Sequence, residues 1–307
     1  MVYSNVLQAI GNTPLVEITK FKSPNSARIF AKLENLNVGG SIKTRTAYNM
    51  IKQAKAKGLL KEGEIIVEAS SGNQGVGLAL VGAVLGHKVI IVMPSSVSEE
   101  RQKLIKQYGA KTVVVKDDGD IGKCIEKCVQ IAKKIQKDRG GYMPNQFENQ
   151  TNVYTHEKFT AQEIISALGD KIHGFCAGVG SGGSLTGIGK ALKEINEQVQ
   201  IWAVEPTNSA ILSGKKVGTH LQMGIGDGII PPILNREIIN EVFTVDDKTA
   251  IYYAKELALR EGILCGISSG SNLACAIKLA KTLGEDKNVV TLFPDTGERY
   301  FSTPLFD

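Results

Sequence analysis

Gly39-Gly40-Ser41-Ile42-Lys43-Thr44-Arg45 is followed, after one helix and one strand, by Ser70-Ser71-Gly72-Asn73-Gln74-Gly75. A lysine in a Gly/Ser-rich turn carries little meaning alone. The residues after it alternate helix and strand: an amphipathic helix over 46–57 closed by Gly58, a strand over 64–68, and an apolar helix over 73–85 ended by Gly86. A lysine at the head of such a unit, facing a Ser-Gly-Asn turn, is placed for Schiff-base chemistry. Its ammonium reacts only when desolvation lowers its pKa or when it is already condensed with a carbonyl group.

Working outward, residues 89–93 form a wholly apolar strand before Pro94. Ser98 opens a helix with Glu99 and Glu100 in its first turn, as the helix dipole favours. A strand over 112–115 precedes a helix that carries Cys124 and Cys128. The polar, irregular stretch 140–152 marks a junction, which divides the chain into domains 1–149 and 150–307. Alternation then resumes with strand 174–178, helix 184–195, strand 200–205, helices 247–261 and 271–282, and strand 289–293. Continuous apolar strands separated by helices predict an α/β protein with mostly parallel sheets covered on both faces. The loop-like stretch 207–232 is too long for a connector, and loops of that length are usually functional.

The bulk composition excludes several classes. The net charge of +5 comes from interspersed charges, with no basic block interleaved with aromatics, so nucleic acid is not an expected partner. No apolar run reaches the roughly eighteen residues of a membrane helix, and the N-terminus lacks the pattern of a signal peptide. Five cysteines, at 124, 128, 176, 265 and 275, lie mostly in apolar runs and read as reduced thiols of a cytoplasmic protein. Cys124 and Cys128 are one helical turn apart, but no histidine or second cysteine pair accompanies them, so helix packing is the expected role and no metal is predicted.

Two further segments carry chemistry. Residues 178–187, Gly-Val-Gly-Ser-Gly-Gly-Ser-Leu-Thr-Gly, follow an apolar strand and open a helix. Backbone N–H groups converging there would cradle a phosphate, while the plainer reading is a glycine-rich strand–helix turn. The spacing gives neither a dinucleotide fingerprint nor a Walker A loop. Residues 266–272, Gly-Ile-Ser-Ser-Gly-Ser-Asn, precede another helix. Their hydroxyls either cap that helix or offer a neutral partner to a heteroaromatic nitrogen.

Together these segments resemble the pyridoxal phosphate (PLP) dependent cysteine synthase and cystathionine beta-synthase family, of fold type II. The resemblance runs from Ile10-Gly11-Asn12-Thr13-Pro14-Leu15 through Lys32-Leu33-Glu34-Asn35, Gly40-Ser41-Ile42-Lys43 and Ser71-Gly72-Asn73. It continues with Asn145-Gln146-Phe147, the 180–184 loop, Gly224-Ile225-Gly226, residues 266–270 and Gly297-Glu298-Arg299-Tyr300. It implies two α/β domains with PLP in the cleft between them, a segment 13–35 that crosses to the second domain, and a homodimer.

By resemblance, Lys43 would carry the cofactor as an internal aldimine and then act as base. Asn73 would meet the cofactor's phenolic oxygen, Gly180, Ser181, Gly182, Gly183 and Ser184 its phosphate, and Ser268 its ring nitrogen. The substrate carboxylate would lie against Ser70, Ser71, Asn73 and Gln146, with Gly72, Gln74, Gly226 and Asp227 also at the substrate. A neutral serine at the ring nitrogen keeps the ring a weak electron sink, which favours β-elimination over transamination.

Three departures from the family pattern matter: Ser70 and Gln74 replace threonines, Thr44 replaces an aspartate, and Asp227 stands between Gly226 and Gly228 where Ala or Pro is common. Asp227 is either a loop aspartate with an ordinary partner or an acid/base at the substrate. Sulfide is largely anionic near neutral pH and needs no base, whereas water or a thiol does. The expectation is therefore β-replacement on L-cysteine through an aminoacrylate, with hydrogen sulfide leaving and L-serine (from water) or lanthionine (from a second cysteine) forming. The alternatives are cysteine synthesis from O-acetyl-L-serine and sulfide, a cystathionine beta-synthase-like reaction with homocysteine, and a non-catalytic paralogue that binds PLP or a peptide.

Overall fold

The computed structural model describes every residue except Met1, Ser71, Asp118 and Asp120. Its described strands form two sheets. Strands β1 (Leu15–Glu17), β2 (Arg28–Leu33), β6 (Gly174–Gly178), β7 (Gln200–Pro206), β8 (Glu241–Val245) and β9 (Asn288–Phe293) make a six-stranded sheet in the order β1-β2-β9-β6-β7-β8. Strands β3 (Ile66–Ala69), β4 (Val89–Pro94) and β5 (Lys111–Val115) make a three-stranded parallel sheet. In the larger sheet only the β1–β2 pair is antiparallel. The chain is thus α/β with mostly parallel sheets. The N-terminal segment 15–33 is built into the sheet that otherwise comes from residues beyond 173.

The period-2 apolar pattern explains why both sheets are covered on both faces. Along β2, Ile29, Ala31 and Leu33 enter one core while Phe30 enters the other. Along β7, Trp202 and Val204 face the first, and Ile201 and Ala203 the second. In the smaller sheet, Val89, Ile91 and Met93 of β4 alternate with Ile90 and Val92 in the same way. A one-residue slip would exchange the two sets, so the register is strongly specified.

Helix α2 (Asn73–Leu85) packs on the three-stranded sheet, and α1 (Lys43–Ala56) packs closely on α2. The small residues of α2 make that contact possible: a Cβ added at Gly77 would lie 3.1 Å from the Lys43 carbonyl oxygen and 3.0 Å from Ala47 Cβ. Helices α3 (Glu99–Gln107) and α4 (Ile121–Arg139) complete that unit, with Cys124 and Cys128 buried in its core. Around the larger sheet lie α5 (Thr151–Thr155), a π-helical turn (His156–Thr160), α6 (Ala161–Leu168), α7 (Gly183–Ile195), α8 (Asp247–Glu261) and α9 (Ile267–Leu283). The helices over 151–168 and strand β8 are unassigned by sequence pattern. The π-helical turn breaks the 3.6-residue period, and β8 is a half-exposed edge strand with no continuous apolar run.

A buried ionic cluster ties the two units together. Arg45 of α1 makes a bidentate pair with Glu34, from Nε and Nη2, both at 2.8 Å. The same guanidinium reaches both oxygens of Glu163 in α6, at 2.6 and 2.7 Å, and Lys32 Nζ of β2 reaches Glu163 Oε2 at 2.6 Å. Fork-shaped, charge-assisted pairing of this kind fixes geometry more firmly than a single point contact.

Candidate active site

In the six-stranded sheet the chain runs outward from β6 to β7 to β8 and returns on the other side of β6 with β9. The carboxyl ends of β6 and β9 therefore flank a topological switch point, where open α/β sheets form a crevice. The loop 178–183 leaves β6 there, and residues 294–296 leave β9 beside it. The lysine turn is stapled to the latter: Ile42 N donates to Pro294 O at 2.8 Å and Thr296 N to Gly40 O at 3.1 Å. Lys43, the first residue of α1, is thereby held at the crevice.

The resulting cleft is lined by Lys43, Ser70, Asn73, Gln74, Gln146, Gly180, Ser181, Gly182, Ser184, Asp227 and Ser268 of the expected site residues. Gly72, Gly183 and Gly226 support its walls without lining it. Ser71 lies outside the described residues. The free space beside the lysine is narrow, about 50 Å³, because the Lys43 side chain reaches across to Ser181, with Nζ donating to Oγ at 3.3 Å. Burial pushes the Lys43 ammonium below its ordinary pKa, against the opposing charge of Asp227.

The 178–183 loop is shaped by close backbone packing. A Cβ at Gly180 would sit 2.3 Å from Gly224 O, and one at Gly183 would sit 2.1 Å from Asn152 Oδ1. Gly182 caps α7 in the left-handed region, at φ 81°. The first N–H groups of α7 have no acceptor within the helix, and they open onto this loop as an anion cradle. Asn152 braces it, donating from Nδ2 to Ser181 Oγ at 3.0 Å and Gln146 O at 2.9 Å. On the opposite wall Ser268 is buried at the start of α9, and its hydroxyl has no hydrogen-bond partner among the described residues. A lysine drawn toward its neutral form, an anion cradle and a free buried hydroxyl fit a phosphorylated heteroaromatic aldehyde.

Two expected substrate residues that line the cleft also make contacts outside it. Ser70 Oγ accepts from Gly72 N at 3.1 Å and Gly75 N at 3.0 Å, so it shapes the turn into α2. Gln74 turns its amide into the α1–α2 interface, accepting from Thr46 Oγ1 at 2.8 Å and donating to Met50 Sδ at 3.5 Å. Arg101 was not anticipated at the cleft. It is fully buried and pairs with Asp295 at 3.2 Å. Its signal in the sequence is slight: one cation in a charged first helical turn whose partner lies 194 residues away.

Asp227 stands at the other side of Lys43. It is 9% exposed, and its carboxyl group has no hydrogen-bond partner among the described residues. Burial raises its pKa, while the Lys43 charge pulls the other way. Both members of the Lys43–Asp227 pair are thus drawn toward their neutral forms. His220 holds the loop that carries the aspartate. Gln222 N donates to its Nδ1 at 3.2 Å, so Nε2 carries the proton and donates to Gly226 O at 3.0 Å.

The chain belongs to the pyridoxal-phosphate dependent enzyme family, whose model matches residues 6–295. It is 43% identical to a cysteine synthase of Staphylococcus aureus, over 98% of this chain and 96% of that one. An O-acetylserine dependent cystathionine beta-synthase from Helicobacter pylori superposes with a TM-score of 0.95 at 34% identity, with all of both chains covered. A hydrogen sulfide-producing enzyme, solved as an aspartate-to-asparagine mutant with an α-aminoacrylate intermediate, superposes with a TM-score of 0.90. That enzyme is 40% identical, over 97% of this chain and 90% of that one. The fold is that of fold type II PLP enzymes, and the chain is a PLP-dependent enzyme. No helix among the described residues is long and apolar enough to cross a membrane.

Proposed function

We propose that this enzyme performs β-replacement on L-cysteine, releasing hydrogen sulfide and forming L-serine or lanthionine. The observation that carries the reading is Asp227, a buried carboxyl group without a hydrogen-bond partner beside the cofactor lysine. A fixed carboxylate there repels incoming hydrosulfide and accepts a proton from water or a thiol. The similarity to a sulfide-producing enzyme, studied as an aspartate-to-asparagine mutant, supports the same direction.

In this reading PLP supplies an electron-withdrawing carbonyl that labilises the α-proton and the β-substituent of a bound amino acid. Lys43 holds the cofactor and then carries the α-proton on Nζ. The 180–184 loop holds the phosphate, Asn73 the phenolic oxygen and Ser268 the ring nitrogen. The substrate carboxylate rests at the N-terminus of α2, beside Ser70, Asn73 and Gln146. Gln74 acts by bracing α2 against α1.

The second reading is cysteine synthesis from O-acetyl-L-serine and sulfide, which the Staphylococcus aureus relative favours. One experiment separates the two. Purified enzyme is incubated with L-cysteine alone, sulfide is assayed, and the amino-acid product is identified by mass spectrometry. Sulfide with serine or lanthionine supports the proposal. No sulfide, with rapid cysteine formation from O-acetyl-L-serine and sulfide, replaces it with the second reading.

A further inference from the structure

A second cavity lies directly outside Asp227. Its volume is about 300 Å³, ten times the roughly 30 Å³ that a water molecule takes up in the liquid. One wall includes Ser95, Ser96 and Val97 after β4 and, of the described residues after β5, Asp117, Gly119 and Ile121. The facing wall is the loop of His220 and Asp227. Met223, Gly224, Ile225 and Asp227 line both this cavity and the cofactor cleft, so Asp227 stands at the partition.

The two ends differ in chemistry. At the inner end Asp227 is nine-tenths buried and unpartnered among the described residues. His220 cannot serve as proton acceptor there, because its Nδ1 lone pair and Nε2 proton are both committed to the loop. At the outer end the Asp117 carboxylate is fixed in place. Its Oδ2 accepts from Ser96 Oγ at 2.6 Å and its Oδ1 from Gly119 N at 3.0 Å, while its own N–H donates to Ser95 Oγ at 3.0 Å. The rest of the lining mixes apolar Val97, Ile121 and Ile225 with polar Ser95, Ser96, Thr219 and His220. Two carboxylates in a ligand-sized cavity, only one of them shared with the cofactor cleft, suit a molecule with both a cation and an acidic hydrogen.

We propose that this cavity binds the second substrate, an amino-acid thiol, with its α-ammonium group at Asp117 and its sulfur at Asp227. The proposal rests on the reaction assigned above and names its nucleophile. L-Cysteine gives up its α-proton to Lys43 and its Cβ–Sγ bond breaks, releasing hydrosulfide. The incoming thiol loses its proton to the Asp227 carboxylate and its sulfur bonds to Cβ. The proton on Lys43 returns to Cα, the proton on Asp227 passes to solvent, where the released hydrosulfide takes one up, and the products are a thioether amino acid and hydrogen sulfide.

The test supplies L-cysteine as donor and compares two thiols, cysteamine with an ammonium group and 3-mercaptopropionate with a carboxylate instead. Thioether products are quantified by mass spectrometry alongside sulfide, in the wild-type holoenzyme and in Asp117→Asn. Cysteamine should be preferred in kcat/KM, and Asp117→Asn should reduce that preference about fivefold through KM for the thiol. Ser96→Ala, which frees the Asp117 carboxylate to rotate, should lose part of the same preference. Sulfide release with an unchanged thiol preference in both variants overturns the binding site alone. No sulfide from L-cysteine with either thiol or with none overturns the reaction and this proposal together.

Discussion

Arg299 donates from Nη1 to Asn73 Oδ1 at 2.7 Å, joining residues 226 apart in sequence. The Asn73 amide is held from both sides, because its Nδ2 donates to Asp295 Oδ2 at 2.6 Å. Asp295 Oδ2 also accepts from Tyr300 Oη at 2.8 Å and Arg101 Nη2 at 3.2 Å, and the Arg101 guanidinium lies over the Tyr300 ring. One N–H of the Asn73 amide is left for the cleft. Arg299 is thus a positioning residue for a group assigned to the cofactor. Arg299→Ala is expected to weaken PLP binding about tenfold, through a misaligned hydrogen bond worth roughly 1–2 kcal/mol. Titration of the apoenzyme followed by fluorescence would show it, and an unchanged dissociation constant would count against the relay.

The ionic cluster predicts behaviour in acid. Burial pushes the Glu163 carboxyl up, but Arg45 and Lys32 outweigh it and bring its pKa from 4.5 to about 2. A depressed carboxylate stabilises the fold above its unfolded pKa, and that stabilisation is lost as pH falls from about 4.5 toward 2. Glu163→Gln should therefore cost about 1–2 kcal/mol at pH 7, allowing for solvent screening of a partly exposed group, and the gap to wild type should close in acid. Denaturant melts at pH 7 and pH 3 would measure the gap, and a constant difference would contradict the assignment.

Glu68 predicts the opposite slope. It is buried in β3 with Oε2 unpartnered, and burial raises its pKa from 4.5 to about 8, against backbone hydrogen bonds from Asn145, Gln146 and Ala69. A raised carboxyl stabilises most below its unfolded pKa, so stability declines by about 1.4 kcal/mol per pH unit between 4.5 and 8. Glu68→Gln should remove that decline, and melting temperatures taken from pH 6 to pH 8 should run flatter than in wild type. Parallel wild-type and variant profiles would mean that Glu68 does not titrate in this range.

The features readable in the sequence are those set by local pattern. The alternation along β4 and β7, the glycine loop after β6 and the Lys43 turn all carry their meaning within about ten residues. Features that depend on distant partners were not readable. Nothing near Arg299 points to Asn73, and nothing near Gln74 shows that Thr46 Oγ1 will donate to its side-chain oxygen. Arg101 hides for the same reason: a cation in a charged helical turn is normally solvated, and only the fold brings Asp295 and Tyr300 over it. The Asp227 departure was visible as a residue type, whereas its burial and its place between two cavities required the 219–227 loop to be folded.

Asp227 supplies the sharpest kinetic prediction. If its carboxylate takes the proton of the incoming nucleophile, it acts after sulfide has left. Asp227→Asn should then release a burst of sulfide stoichiometric with enzyme and afterwards turn over about a hundredfold more slowly, the usual scale for losing one acid–base group. The pH dependence follows from the same group. Burial raises the Asp227 pKa above its ordinary 3.8, with Lys43 opposing, and only the ionised form accepts a proton. Wild-type turnover with L-cysteine should rise with pH through that raised pKa, and the acidic limb should vanish in Asp227→Asn. Quenched-flow sulfide assays across the pH range distinguish the outcomes. Full steady-state turnover by the variant would return Asp227 to a structural role and leave the nucleophile to ionise without help.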